Sequence, residues 1–194
     1  MTDFSDHHIS SPLSSFPVPL LGFAAWSGTG KTTLLAKLIP LLNFEGVKVA
    51  LVKHAHHGFD IDHSNKDSYT LREAGASQVV VASAHLIAAM YATPNRKDEP
   101  DLQEALETVQ PERLDLVLVE GFKKAEIPKI ELHREALNKP YLYPDDTHII
   151  ALADDSPMTS EGNADAREIT HLDLNQPEQI TTFIMGWLAT KASS

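Results

Sequence analysis

Ala25-Trp26-Ser27-Gly28-Thr29-Gly30-Lys31-Thr32 is the stretch of this sequence whose residue types and spacing most directly suit chemistry. It follows the pattern of a phosphate-binding loop, with Ala at the first position where the strict form has Gly. Gly28 and Gly30 let the backbone turn its N–H groups inward and approach an anion with no Cβ in the way. Lys31 brings a charge to the β and γ oxygens, and the Thr32 hydroxyl suits a Mg²⁺ ion. A helix that opens here, with Thr33 in its first turn, aims its positive dipole end at the same phosphates. Ser27, Gly28, Thr29, Gly30, Lys31, Thr32 and Thr33 are thus the candidate nucleotide-binding set. A chance match, with the loop a relic in an assembly protein, is the competing reading. An apolar strand before the loop and an amphipathic helix after it speak against that.

A magnesium-bound triphosphate also needs carboxylates at neighbouring strand ends, because the hydroxyl and the phosphates leave water-filled positions to orient. Glu120 directly follows the apolar run LDLVLV and precedes Gly121, which puts it at a strand's C-terminal edge, where ligands of open α/β sheets gather. With Lys31 it forms the candidate catalytic pair; a solvated strand-end glutamate is the bland alternative. Asp67 is a second metal candidate, and equally a helix-start residue. Lys53, just after the second strand, is read as a partner to phosphate or carboxylate. His54, His56 and His57 invite a zinc site, but without cysteine or a spaced third ligand that reading is disfavoured. Asp60 and Asp62 could serve Mg²⁺, and the loop reading is preferred.

These residues must be held by elements legible in the text. Residues 1–17 lack either hydrophobic period and read as a mobile leader, leaving one domain over 18–194. Strands are expected at Leu20–Ala25, Val47–Val52, Val79–Val81, Leu86–Tyr91, Leu114–Val119, near Ile130, and at His148–Ala153 and Ile169–Leu172. Helices are expected from the loop to Glu45-Gly46, over Lys66–Ala74, between about Glu99 and Gln110, and from Pro177 to about Lys191. Alternating strands and helices, with several nearly all-apolar strands, predict a three-layer α/β architecture: a mainly parallel sheet flanked by helices.

Composition bounds the function. The 194 residues are 42% hydrophobic and 22% charged, an ordinary globular balance. The net charge of −11 has the wrong sign for neutralising nucleic-acid phosphates or an anionic bilayer. Residues 141–194 hold two basic and nine acidic side chains, so the anion-handling part should lie earlier. No cysteine is present, which excludes thiolate chemistry. With no basic, apolar leader and no long apolar run, a cytoplasmic location is expected.

WSGTGKTTLL, VKHAHHGFDID, KDSYTLREAGA and LDLVLVEGFK occur in that order. Together they resemble the MobB family, the molybdopterin-guanine dinucleotide biosynthesis protein B family, over about Pro19 to Pro157. The resemblance implies a P-loop NTPase fold akin to MinD-type ATPases and dethiobiotin synthetase. It implies a dimeric GTP-binding adapter with weak GTP hydrolysis. Its partners would be the nucleotidyltransferase that attaches GMP to molybdopterin and the molybdenum-insertion enzymes. By similarity to the synthetase branch, Thr32, Asp67 and Glu120 are the magnesium-side residues. Trp26 stands where the MinD-type loop has its signature lysine. The guanine signature of Ras-like GTPases is not completed, because Asn138-Lys139-Pro140 is followed by Tyr141. Ala153-Asp154-Asp155 closes an apolar strand, and a carboxylate there, with Asp154 the candidate, could accept the guanine N1 and N2 hydrogens; for either residue alone a plain acidic turn is the preferred reading. Residues 128–150 are a candidate partner or dimer surface. The alternative function is a small-molecule kinase or ATP-dependent ligase, with Lys123, Lys124, Lys129 and Arg134 clamping an anionic acceptor.

Overall fold

The computed structural model describes residues 13–55, 61–93, 98–156 and 168–192. The chain divides into two compact units, one made of the segments up to His54 and from Asp101 onward, the other of Ala55–Pro100.

In the larger unit, six strands form one sheet: β1 (Leu20–Ala25), β2 (Val49–Lys53), β5 (Leu116–Glu120), β6 (Lys129–His133), β7 (Ile149–Asp154) and β8 (Thr170–Asp173). Their order is β2-β5-β1-β6-β7-β8, and every pairing is parallel. β1 therefore lies inside the sheet, with the C-terminal ends of β5 and β6 on either side. After β1 the chain crosses to β2 and returns through β5 before moving out to β6, so the central strand ends bound a crevice.

Helices α1 (Lys31–Phe44) and α4 (Pro177–Ala192) cover one face, and the short α3 (Leu102–Leu106) covers part of the other. Strand alternation sorts the side chains. Leu21, Phe23, Leu116, Leu118, Ile130 and Leu132 meet α1 and α4, whereas Leu20, Val117 and Val119 meet α3. Leu13 and Phe16, at the end of the segment read from sequence as a leader, pack against this second cluster. Asp101 starts α3 by accepting from Glu104 N–H at 2.9 Å, and Pro111 follows soon after, so this helix is shorter than the expected Glu99–Gln110. α1 begins two residues earlier than its apolar stripe, at Lys31, and stops at Glu45 with Gly46 at φ +83°.

The smaller unit contains α2 (Asp67–Glu73) and an antiparallel hairpin, β3 (Gln78–Ala82) with β4 (Ile87–Tyr91). Among the described residues, the two apolar runs expected as strands pair only with each other, an outcome that hydrophobic content alone does not distinguish from a parallel crossover.

Candidate functional site

The phosphate loop follows β1 and ends where α1 begins. Gly28 and Gly30 take φ of +84° and +100°, backbone conformations a side chain disfavours, and Gly30 is the residue preceding the helix. Thr29 is buried and braces the turn by donating its hydroxyl to the Trp26 carbonyl at 2.7 Å. Lys31 lies back along the loop, its Nζ 3.4 Å from the Ala25 carbonyl. Burial lowers its pKa, the Glu120 carboxylate works against that, and Lys123 and Lys53 add to the lowering.

Glu120 ends β5 beside this loop. Its Oε1 lies 3.4 Å from Thr32 Oγ1, so two of the three residues expected from sequence as metal-side groups lie together. Lys53, opposite Glu120 in the β2–β5 register, puts its ammonium 3.3 Å from Glu120 Oε2 and 3.5 Å from Thr32 Oγ1. A hydroxyl and a carboxylate gathered around a positive charge are hard oxygen donors that fit a magnesium ion sharing nucleotide phosphates. Gly121 makes this approach possible: at φ +98°, a Cβ there would stand 2.9 Å from His54 Cβ.

Arg134, which sequence reasoning placed only in an acceptor clamp, is built into the loop. Its Nε donates to the Thr29 carbonyl at 2.9 Å and its Nη1 to Asp155 Oδ2 at 3.0 Å. Glu135 N–H takes the other Asp155 oxygen at 3.0 Å. Burial pushes the Asp155 pKa up, but the Glu135 N–H and the guanidinium outweigh it and hold the pKa below its ordinary value. The available signal was positional, since Arg134 follows a strand end just as Glu120 does. Asp154 closes β7, is buried and shares a hydrogen bond with Tyr141; burial raises its pKa, against the pull of His171 and His133.

Lys129 is corrected by the structure. It is buried, 2.7 Å from Asp146 Oδ2 and 3.1 Å from the Lys123 carbonyl, because β6 lies inside the sheet with both faces covered and Gly22 leaves room for its stem. It cannot clamp an acceptor. The segment Asn138-Lys139-Pro140 is structural too: the Lys139 carbonyl meets His133 Nε2 at 2.9 Å, and the Pro140 carbonyl accepts from Trp26 Nε1 at 2.8 Å. Lys123 and Lys139 lie 5.5 and 5.7 Å from the Trp26 ring centroid.

Asp67 opens α2 in the smaller unit. In that unit Asp62 accepts from His63 N–H at 3.0 Å, a loop role. His54 lies against Phe122 with ring centroids 5.0 Å apart. His56, His57 and Asp60 lie outside the described residues. Among the described residues no group of three His, Asp or Glu could hold a metal, and no helix is long and apolar enough to cross a membrane.

Known proteins resemble this chain in sequence and in fold. The chain is 48% identical over 172 residues to the molybdopterin-guanine dinucleotide biosynthesis adapter protein of Escherichia coli, covering 88% of this chain and 94% of that one. It is 42% identical over 171 residues to the protein of that name from Haemophilus influenzae, covering 88% and 90%. A crystal structure of molybdopterin-guanine biosynthesis protein B superposes with a TM-score of 0.66 at 27% identity, over 88% of this chain and 99% of that one. A MobB homologue from Bacillus stearothermophilus, at 24% identity and a TM-score of 0.62 over 88% and 98%, shares the fold. The fold is of the α/β P-loop NTPase type. The family model for MobB, molybdopterin guanine dinucleotide synthesis protein B, matches residues 20–155, and this chain belongs to that family.

Proposed function

We propose that this protein is an adapter in molybdopterin-guanine dinucleotide biosynthesis that binds GTP with Mg²⁺ in the Ser27–Thr33 loop and hydrolyses it slowly. The observation that carries this reading is the convergence of Lys31, Thr32 and Glu120 at the central strand ends, in a chain of the MobB family. Loop N–H groups and Lys31 take the β and γ phosphates, and Lys53 and Lys123 add positive charge around them. Thr32 and Glu120 would hold Mg²⁺. When bound, the ion neutralises charge on the phosphate oxygens.

Slow turnover follows from what surrounds the loop. Glu120, close to Thr32, would be committed to the ion, and Arg134 is engaged by Thr29 and Asp155. Neither is poised to activate water or to stabilise a transferring phosphoryl group. The kinase or ligase alternative loses Lys129 from its acceptor clamp. Asp154 remains the proposed guanine contact, with Asp155 committed to Arg134.

Homodimerisation belongs to the same proposal. The hairpin leaves Val80, Leu86, Ile87 and Tyr91 exposed, and two strands alone are marginal without a covering surface. A second copy would cover them. The proposed enzyme partners are the nucleotidyltransferase that attaches GMP to molybdopterin and the molybdenum-insertion enzymes.

Calorimetric titration with GTP and ATP, with and without Mg²⁺, tests the nucleotide reading. The expected result is a preference for GTP, lost in Lys31→Ala. Equal GTP affinity in that variant would remove the loop from the function. Rapid phosphorylation of a small acceptor would replace the adapter by the kinase.

A further inference from the structure

We propose that the ammonium of Lys53 and the divalent ion are alternative counterions of one carboxylate, so that loading the site is an exchange of cations. This rests on the proposed nucleotide reading and deepens it.

Three observations carry it. The Glu120 side chain is only 9% exposed, and an ionised carboxylate so far from water needs a positive partner. Lys53 is that partner at 3.3 Å, and its ammonium also lies 3.5 Å from Thr32 Oγ1, while the two oxygen-bearing groups stand 3.4 Å apart. The ammonium therefore sits against the same pair of oxygens that a magnesium ion would use. Two cations cannot share that position, because the repulsion between a monovalent and a divalent charge at such range would exceed what one carboxylate offsets.

Lys53 is also built to leave. Its side chain is 49% exposed, in contrast to Glu120, and it reaches the site from the end of β2 on a flexible stem. Once the ion has taken Glu120 and Thr32, the ammonium is free to move to the incoming phosphates. Without nucleotide, Lys53 keeps Glu120 satisfied and free metal out. Metal alone binds weakly, and metal with nucleotide brings the phosphate charge that gives Lys53 a new partner.

Mn²⁺ binding to the nucleotide-free, full-length protein, read from the free-ion paramagnetic resonance signal, tests the exchange without any turnover. Lys53→Met should bind Mn²⁺ roughly tenfold or more tightly than the unaltered protein, since a positive charge has been removed a few ångströms from the ion. Lys53→Met combined with Glu120→Gln should return to weak binding, and Lys53→Arg should behave like the unaltered protein. Equal Mn²⁺ uptake by the unaltered protein and Lys53→Met overturns the exchange. If Lys53→Met does not fold, the ammonium resonance of Lys53 in ¹⁵N-lysine protein decides. It should move on adding Mg²⁺ and GTP together and hold still with Mg²⁺ alone, and a resonance unmoved by both together overturns the proposal. A protein that binds no GTP under any condition refutes the nucleotide reading, and the Mn²⁺ comparison still judges the exchange.

Discussion

Arg134 and Thr29, 105 residues apart in sequence, are joined by a hydrogen bond of 2.9 Å from the guanidinium Nε to the loop carbonyl. The same guanidinium reaches Asp155 at the end of β7, so the phosphate loop is fastened to the strand on which the guanine contact is proposed. Lysine cannot reproduce this, because a single ammonium lacks the planar fork that serves two acceptors at fixed angles. Arg134→Lys should weaken GTP binding by roughly 1–2 kcal/mol, about tenfold in Kd. Calorimetry checks it, and an unchanged Kd would show that the loop holds its shape unaided.

Gly121 sets the distance between the ends of β2 and β5. Gly121→Ala would bring a Cβ within 2.9 Å of His54 Cβ on a backbone at φ +98°. The strain should cost roughly 1–3 kcal/mol of stability. Because relief must displace either strand end, GTP affinity should fall as well. Urea unfolding and a GTP titration of one preparation separate the two effects; loss of stability alone would mean that Glu120 keeps its place.

Buried Lys129 pairs with the partly exposed Asp146 at 2.7 Å, and removing Asp146 leaves the buried ammonium stranded. Asp146→Ala should therefore destabilise the fold by roughly 3–5 kcal/mol, and Lys129→Met on that background should recover much of the loss. Chemical unfolding of the two single variants and the double variant checks this. GTP affinity of the folded double variant should match the unaltered protein, since neither residue meets the loop.

How far the sequence carried the reading depends on whether a residue's role was local. β1, the loop and the start of α1 are contiguous, so an apolar run, two glycines and a stripe of leucines were enough. The place of Glu120 at the end of β5 was legible because a strand's end is a local property. Arg134 sits at an equivalent strand end, yet its contact with Thr29 depends on β6 lying beside β1, a pairing of distant segments that no spacing encodes. Lys129 was misread for a related reason. Lys123, Lys124, Lys129 and Arg134 look like one basic surface in the linear text, but β6 is buried on both sides, and alternation puts Lys129, Glu131 and His133 on the inner face away from α1 and α4. The hairpin runs were recognised as strands, while their separation from the main sheet depended on partners that the sequence does not name.

Glu131 on that inner face gives the stability a pH dependence whose sign can be worked out. Its two oxygens accept the N–H groups of Leu142 and Tyr143, each at 2.8 Å. Burial nevertheless dominates and raises its pKa above the ordinary 4.5. The folded state then holds a proton that the unfolded state has released, so this residue's contribution declines as pH rises from about 4.5 through the folded pKa. Asp146 acts oppositely. Burial raises its pKa, but Lys129 and the His148 N–H outweigh it, and its contribution is lost as pH falls below about 3.8. Thermal unfolding across pH 4 to 7, compared with Glu131→Gln, should show a steeper decline above about 4.5 in the unaltered protein than in the variant, where Asp154, also raised by burial, leaves a smaller one. Parallel curves would mean that Glu131 is ionised throughout.

The hairpin supplies the most direct test of assembly. Ile87 is 71% exposed and Val80 56%, in a two-stranded sheet whose β3 and β4 pair only with each other among the described residues. If a second copy covers these side chains, a charge placed among them must be desolvated at the interface or keep the copies apart. Val80→Lys with Ile87→Glu should turn a dimer into a monomer, read by light scattering during size exclusion. The larger unit carries the nucleotide loop on its own sheet, so GTP affinity per chain should change by less than about threefold, under 1 kcal/mol. A dimer that persists would move the interface elsewhere, with Glu135, Asn138 and Lys139, exposed within residues 128–150, the next side chains to alter.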